Sequence, residues 1–448
     1  MEELAQSRDS PDAGAARREM LRTIFEETLA AIDVRKVLAR AVRCDDGVLH
    51  IADLRYRLPD FDRVLVVSIG KAAVPCAEVV LGALGGCGIL VEAVVVGPGE
   101  IANSSCRIDR WQGSHPLPDA SARDAAQHIL KILKSSTARD LILFLISGGA
   151  SAMMELPLDA TLAIEETAAF YCALVNSGLN IGEMNTLRKH LSAVKGGRLA
   201  EAAGDATKCT LLISDVREGR EDVIGSGPSL PDSSTREECL ELMRRPELKD
   251  KVPDRVRAFL ESAELPETPK AGALCFARAN SRVLLSTETM LLAAANACRS
   301  RGFHTVINNT CDEWEYRAAA DYLLARLREL SAEYPRVALL SGGEVLVSVG
   351  SDAGIGGRNQ QFAVYCATKL NNIPAQTTVL SAGSDGIDGN SPAAGAVVDF
   401  HMMGHAPQIK EALDRFDSYP LLAEVGGAIV TGPTGNNVRD LRILIAER

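Results

Sequence analysis

Apolar positions along this chain follow two spacings. From Met20 to Val42 they recur at helical intervals, with Leu21, Ile24, Phe25, Leu29 and Ile32 on one face, which predicts an amphipathic helix. Arg63 to Ile69 is instead a near-continuous apolar run between Asp62 and Gly70. Such a strand buries both faces, as strands of a parallel sheet do. A helix is expected next, from Lys71 to Glu78. The unit then repeats. Val91–Val96 ends in Gly97-Pro98-Gly99, Leu141–Ile146 in Ser147-Gly148-Gly149-Ala150-Ser151, and Thr210–Ser214 at Asp215. Helices lie between them, such as Ser121–Leu133 with Asp119 or Ser121 as N-cap. Strands alternating with helices predict an α/β fold with a doubly wound sheet, whose ligands bind at the carboxyl ends of its strands.

The pattern lapses over Asp232–Lys270, where Pro246, Pro253, Pro266 and Pro269 punctuate a stretch rich in Lys and Glu. A boundary is expected there. The division reads as a mobile tail over 1–18, a first domain over 19–245, a linker over 246–270 and a second domain over 271–448. In that second half, Val337–Leu340 and Glu344–Val349 read as two strands about the turn Ser341-Gly342-Gly343. A helix is expected over Asn359–Leu370, with short strands at Thr377–Ser381, Ala396–Asp399, Ala428–Thr431 and Arg442–Ala446. Together these predict a mixed sheet with flanking helices.

Composition narrows the class. A chain of 448 residues is too long for one compact core. The net charge of −11 argues against nucleic acid, which is bound by broad basic surfaces, but leaves room for a small anion held by a few local cations. The 11 Cys show no C-x-x-C spacing and fit free thiols in a reducing cytosol. Met1–Ala16 lacks the basic start and apolar run of a signal peptide. No apolar stretch nears the roughly 20 residues of a membrane span. The expectation is a soluble, cytoplasmic protein without nucleic-acid or membrane partners, a homodimer being left open.

Several loops carry chemistry. In Gly70-Lys71-Ala72-Ala73 a cation stands where a helix begins, against the macrodipole, and a bound anion would relieve both. The bland alternative is a surface lysine at a turn. Ser147-Gly148-Gly149-Ala150-Ser151 lets the backbone approach a ligand, or is an ordinary tight turn. Gly354-Ile355-Gly356-Gly357-Arg358-Asn359 offers glycines and a guanidinium suited to phosphate or carboxylate, unless Arg358 simply pairs with a nearby acid. Asp385 and Asp388 share a glycine-rich loop that could hold Mg²⁺ or accept a hydroxyl proton, though such turns are common. Arg188-Lys189-His190 and Lys195-Gly196-Gly197-Arg198 concentrate cations, and Gly432-Pro433-Thr434-Gly435-Asn436-Asn437 is a further loop of this kind. His115 and His190 read as structural hydrogen-bonding residues.

These words, in this order, resemble the glycerate kinases whose C-terminal half is the MOFRL domain. Carrying the resemblance are Gly70-Lys71-Ala72-Ala73, Gly113-Ser114-His115-Pro116, Ser147 to Ala152, Asn185 with Arg188 to Ser192, and Lys195 to Ala200. Ser226-Gly227-Pro228, Ser341 to Glu344, Gly356 to Gln360, Ser384 to Gly389 and Thr431 to Gly435 with Asn437 extend it over nearly everything after the tail. The resemblance implies ATP-dependent phosphorylation of D-glycerate to 2-phosphoglycerate with a divalent cation such as Mg²⁺. It also implies a Rossmann-like N-terminal domain, a MOFRL-type C-terminal domain and an active site in the cleft between them.

Lys71, Arg358 and Asp385 match family positions thought to act there. On this reading Lys71 and Arg358 neutralise the phosphoryl group or the glycerate carboxylate. Asp385 orients the hydroxyl or binds Mg²⁺, with Asp388 and Asp215 as substitutes. Gly148, Gly149, Gly356, Gly357 and Gly432 offer N–H groups to oxyanions, and Gly70, Ser147, Ser151, Arg188, Lys195, Asn359 and Asn437 complete the expected binding set. Three departures stand out: the loop Arg217–Asp222 where the family has a Pro-Gly-Asp-Asp-like turn, Ile355 for a customary Arg, and Gln361 for a customary Glu. Rival readings are an NAD(P)H-dependent hydroxypyruvate reductase, disfavoured because Gly97-Pro98-Gly99 does not complete G-x-G-x-x-G, and a non-catalytic sensor of sugar acids or nucleotides.

Overall fold

The computed structural model describes residues 11–101, 106–217, 219–350, 352–373 and 376–448. Residues 1–10 of the expected tail and Glu218 of the atypical loop lie outside them. The chain forms two units, Val34–Leu284 and a second made of Leu285–Arg448 together with the N-terminal segment ending at Asp33.

In the first unit a six-stranded sheet has the order Arg107–Trp111, Leu90–Val96, Arg63–Ile69, Asp140–Ile146, Thr207–Ile213, Ala279–Leu285. The first five of these run parallel. Val64–Val67 and Leu141–Phe144 are each at most 1% exposed, so their unbroken apolar runs reflect burial on both faces. Chain order reverses between the Arg63–Ile69 and Asp140–Ile146 strands. At such a switch point the two following loops diverge and leave a crevice outside the strand ends.

Helix boundaries depart modestly from the sequence reading. Ala120–Lys134 starts where Asp119 accepts the Ala122 N–H at 3.0 Å. The helix after the first strand is Ala73–Leu84, leaving Lys71 and Ala72 in the turn. The expected Met20–Val42 helix is two helices, Pro11–Ala31 and Val34–Ala41, and Val42 opens a three-stranded antiparallel ribbon ending at Arg57.

The proline-rich stretch 246–270 is not a linker. It contains the Asp254–Leu260 helix, and Leu248, Val252, Val256, Leu260 and Leu265 are each at most 5% exposed in a second, helical core. Two of its prolines sit where local elements begin: Pro246 opens a 3-10 turn and Pro253 precedes the helix.

The second unit is a mixed sheet, ordered His304–Ile307, Arg336–Gly342, Asp440–Glu447, Gln376–Gly383, Gly395–Asp399, Ala428–Ile429. Only the first pair is parallel. Residues 344–349, expected as a strand, make one isolated bridge, Glu315 to Leu346. Helix Pro11–Ala31 belongs to this unit, against the Thr287–Ser300 helix and the Gln376–Gly383 and Gly395–Asp399 strands. Leu21, Ile24 and Phe25 are fully buried there. Arg17 donates to Gln376 Oε1 at 2.8 Å, Arg22 to the Ala428 carbonyl at 2.8 Å, and Arg18 pairs with Asp399. The segment expected as a tail over 1–18 is therefore helical from Pro11. No helix among the described residues is long and apolar enough to cross a membrane.

Candidate functional site

In the first unit the two loops flanking the switch point are stitched together. The Lys71 N–H donates to the Gly148 carbonyl at 2.9 Å, the Ser147 N–H to the Ile69 carbonyl at 3.1 Å, and the Ala72 N–H to Ser147 Oγ at 3.0 Å. Gly70 has φ 118°, and a Cβ there would overlap Ser147. Only glycine permits this backbone and this approach.

The stitching leaves specific groups open. The Gly148 and Gly149 N–H groups have no partner among the described residues. The Lys71 side chain is exposed and forms no ion pair among them. A Cβ on Gly149 would lie 3.2 Å from Lys71 Cγ and 3.3 Å from the His115 ring, so both side chains flank this turn. Burial and the Lys71 ammonium hold His115 below the usual histidine range, leaving it neutral near pH 7. Asp215 packs against Gly148, where a Cβ would displace its carboxylate. Two open N–H groups and an unpaired ammonium at one turn make a cradle for an oxyanion.

Other expected residues spread out from this turn. Ser151 Oγ lies 2.9 Å from Ser226 Oγ, which donates to Asn185 at 2.7 Å. One turn along the same Ile181–Leu191 helix, Arg188 stacks on the Tyr171 ring at 4.7 Å. Its Nε is buried without a partner, and its guanidinium forms no ion pair among the described residues. Arg188 is thus a second cation of this unit that lacks a counter-charge.

Lys195 is different, and the expectation that it binds substrate is corrected. It is fully buried, pairs with Glu155 and donates to the Met154 carbonyl at 3.1 Å. Its neighbours in sequence behave likewise. Lys189 bridges Asp222 and Asp232 at 2.8 and 2.9 Å, and Arg198 donates to the Ser192 carbonyl at 3.0 Å. A run of cations looks the same in sequence whether it faces solvent or fills a core. His190 is structural as expected, between the Thr186 carbonyl and Glu267.

In the second unit Arg358 opens helix Arg358–Ala367 and is held as a fork. Its Nε and Nη2 donate to the two oxygens of Asp440 at 2.6 and 3.0 Å, and Nη2 lies 3.0 Å from Glu344. The side chain is 35% exposed, whereas Asp440 is at 2%. Asp440 holds the guanidinium charged, and burial raises the Glu344 carboxyl despite Arg358. Arg358 is therefore oriented chiefly by Asp440, on a strand far away in sequence, which periodicity cannot reveal. Arg439 pairs with Asp312 at 2.8 Å in the same manner.

The glycine loop before Arg358 is not a phosphate cradle. Its N–H groups are consumed internally: Gly354 by the Arg415 carbonyl, Ile355 by Asp417 and Gly356 by Asn390. Only the Gly357 N–H lacks a partner among the described residues. Asp388, expected at a metal, instead caps the helix. It is 2% exposed and accepts the backbone N–H groups of Asn359 and Gln360 at 3.1 and 2.9 Å, and both side-chain amides. Burial pushes its carboxyl up to about 6, against the pull of those donors. Asn359 is tied up between Asp388 and Ser381, 1% exposed, and so does not face a ligand. Gln361 is buried too, donating to the Leu413 carbonyl at 3.2 Å and accepting from Ser418.

Asp385 remains available. Its Oδ1 accepts the Ile387 N–H at 3.0 Å and its carbonyl accepts the Thr434 N–H at 3.0 Å, which ties its loop to the Gly432–Asn437 loop. Asn437 Oδ1 faces the Arg439 N–H at 3.5 Å within that turn. Gly432, at φ 68°, has an N–H with no partner among the described residues. No cluster of three or more metal-ligating side chains exists among those residues. Asp385 alone of the second unit's two expected carboxylates could meet a cation, and it would do so as one ligand among several.

A sequence profile described as a domain of unknown function, DUF4147, matches residues 20–261, and the MOFRL family profile matches 337–440. The chain is 35% identical to a Thermotoga maritima protein named D-glycerate 2-kinase, covering 92% of this chain and 97% of that relative. It is 33% identical to an Agrobacterium vitis protein named putative hydroxypyruvate reductase, covering 96% and 94%. The solved structure of glycerate kinase from Thermotoga maritima matches with a TM-score of 0.81 at 32% identity, over 96% of this chain and 100% of that one.

Proposed function

The chain belongs to the glycerate kinases of the MOFRL type, and from that membership we propose that it transfers a phosphoryl group from ATP to D-glycerate, giving 2-phosphoglycerate. The observation that carries the reading is the turn at the switch point, where unpaired Lys71 stands beside the open N–H groups of Gly148 and Gly149. Phosphoryl transfer asks a protein chiefly for positioning and for charge stabilisation. Fixed donors aimed at developing negative charge supply the second without reorganising.

Lys71 and the two glycine N–H groups take the oxyanions of the transferring phosphoryl group. Arg188, a cation without a counter-charge, suits the glycerate carboxylate. Arg358, held as a fork by Asp440 and Glu344, presents positive charge in a fixed direction. Asp385 accepts or orients the acceptor hydroxyl. Mg²⁺, when bound with the nucleotide, neutralises phosphate charge; Asp385 is the residue of the second unit suited to hold it, since Mg²⁺ commonly takes one or two carboxylates plus substrate phosphates. Eleven cysteines without any C-x-x-C spacing support a cytoplasmic site of action.

A coupled ATP assay over a panel of hydroxy acids, with the product identified by NMR, tests the reading. Glycerate-dependent ADP formation with the phosphoryl group on the 2-oxygen is expected. The reductase name borne by one relative defines the contrary outcome: oxidation of NADH by hydroxypyruvate, with no ADP formed, would overturn it. The turn Ile69-Gly70-Lys71-Ala72-Ala73 after the first strand of the parallel sheet lacks the dinucleotide pattern.

A further inference from the structure

Beside Arg358 the second unit holds a cavity of about 360 Å³, lined by Val347, Val349, Phe416 and the backbone of Gly354, Gly356 and Gly357. That volume falls within the roughly 300–1,000 Å³ of small-molecule sites. Its walls are mainly apolar. Val347 packs on the unit's core, whereas Val349 is 58% exposed. Val349 thus places an apolar side chain partly in solvent along the cavity it lines.

Two further features bear on what fits. The cavity's glycine loop has spent the N–H groups of Gly354, Ile355 and Gly356 on Arg415, Asp417 and Asn390 and keeps only that of Gly357 open, so it offers chiefly shape and apolar surface. Val347 and Val349, by contrast, lie on an extended segment whose backbone N–H and C=O groups have no partner among the described residues. A mainly apolar cavity edged by free backbone donors and acceptors suits a heteroaromatic ring, whose faces are apolar and whose rim is polar.

We propose that this cavity receives the purine base of ATP, with Arg358 at its rim directed toward the phosphates. The proposal rests on the kinase reading above and extends it. Of the two substrates only the nucleotide has an apolar face, because glycerate carries oxygen on each of its three carbons. Base recognition is thereby assigned to the MOFRL-bearing unit.

The experiment measures both Michaelis constants for Val349→Trp, which fills the cavity from an exposed position. Val175→Trp, at a valine 64% exposed on a helix of the first unit, serves as control. The KM for ATP should rise about tenfold or more with the KM for glycerate unchanged, as expected when an apolar pocket loses its fit. A rise confined to glycerate, or no change in either constant, overturns the assignment. Should Val349→Trp fail to fold, photolabelling the wild-type protein with 2-azidoadenosine triphosphate decides the matter. Label within 345–358 or at Phe416, displaced by ATP, supports the cavity; label elsewhere refutes it. Wild-type turnover of glycerate tests the kinase reading separately, so a failure of one is not mistaken for a failure of the other.

Discussion

Two cations read from the sequence as equals turn out to be different kinds of residue. Lys71 is exposed and unpaired, so nothing in the fold depends on its charge. Lys71→Ala should lower kcat about a hundredfold or more, the usual cost of a lost oxyanion donor, with an unchanged melting temperature. Activity within a few-fold of wild type would make it a surface lysine. Arg358 holds Asp440, which is 2% exposed. Arg358→Lys replaces a fork with a point charge and leaves that buried carboxylate half-satisfied. It should lower both kcat and the melting temperature; a loss of activity without a loss of stability would show that the Asp440 pair does not support the fold. The lysine stood out in the sequence because a cation after an apolar strand is odd wherever it stands. The arginine's partner was not, because 82 residues separate it from Asp440.

At the scale of elements, strands of the parallel sheet were legible as unbroken apolar runs, since two-sided burial leaves that mark. Segment 344–349 also alternates apolar residues, yet its backbone finds a ladder partner only at Leu346, and pattern alone cannot supply a neighbouring strand. The stretch around Glu267 shows how polar contacts fix what prolines seemed to loosen. Burial alone would raise the Glu267 carboxyl, but Lys270, the N–H groups of Arg236 and Thr268, and His190 bring it down to about 2. Its folded value lies below its ordinary value near 4.5, so its stabilisation is present above that pH and is lost as pH falls toward 2. Glu267→Gln should therefore unfold at lower denaturant than wild type at pH 6, with a smaller gap at pH 3 that closes only as pH falls through about 2. A gap of equal size at both pH values would mean that the charge contributes nothing.

At the scale of the molecule, the sequence reading placed one boundary in the proline-rich stretch, whereas the chain passes between its units twice, at 33–34 and at 284–285. The first crossing was hidden because an amphipathic helix does not show which core it joins, and its arginines find their partners 359 to 406 residues away. Cutting at 285 should consequently give a MOFRL fragment that is incomplete. Residues 285–448 alone should show a broad, non-cooperative thermal transition, and fusing residues 11–33 to the fragment's C-terminus through a flexible linker should sharpen it. Equal behaviour of the two fragments would mean that the helix is dispensable.

That same helix sets an order of events during synthesis. It is the first described element to leave the ribosome, but the strands that receive it, Gln376–Gly383 and Gly395–Asp399, are among the last. At about 5–20 residues per second it waits on the order of tens of seconds for them. Until the Thr287–Ser300 helix follows, Leu21, Ile24 and Phe25 have no native surface to cover them, and from then until the strands are made they have only that helix. The charged residues surrounding these apolar side chains thus have a task in the nascent chain as well as in the finished protein, keeping an incompletely covered helix in solution until its sheet is made.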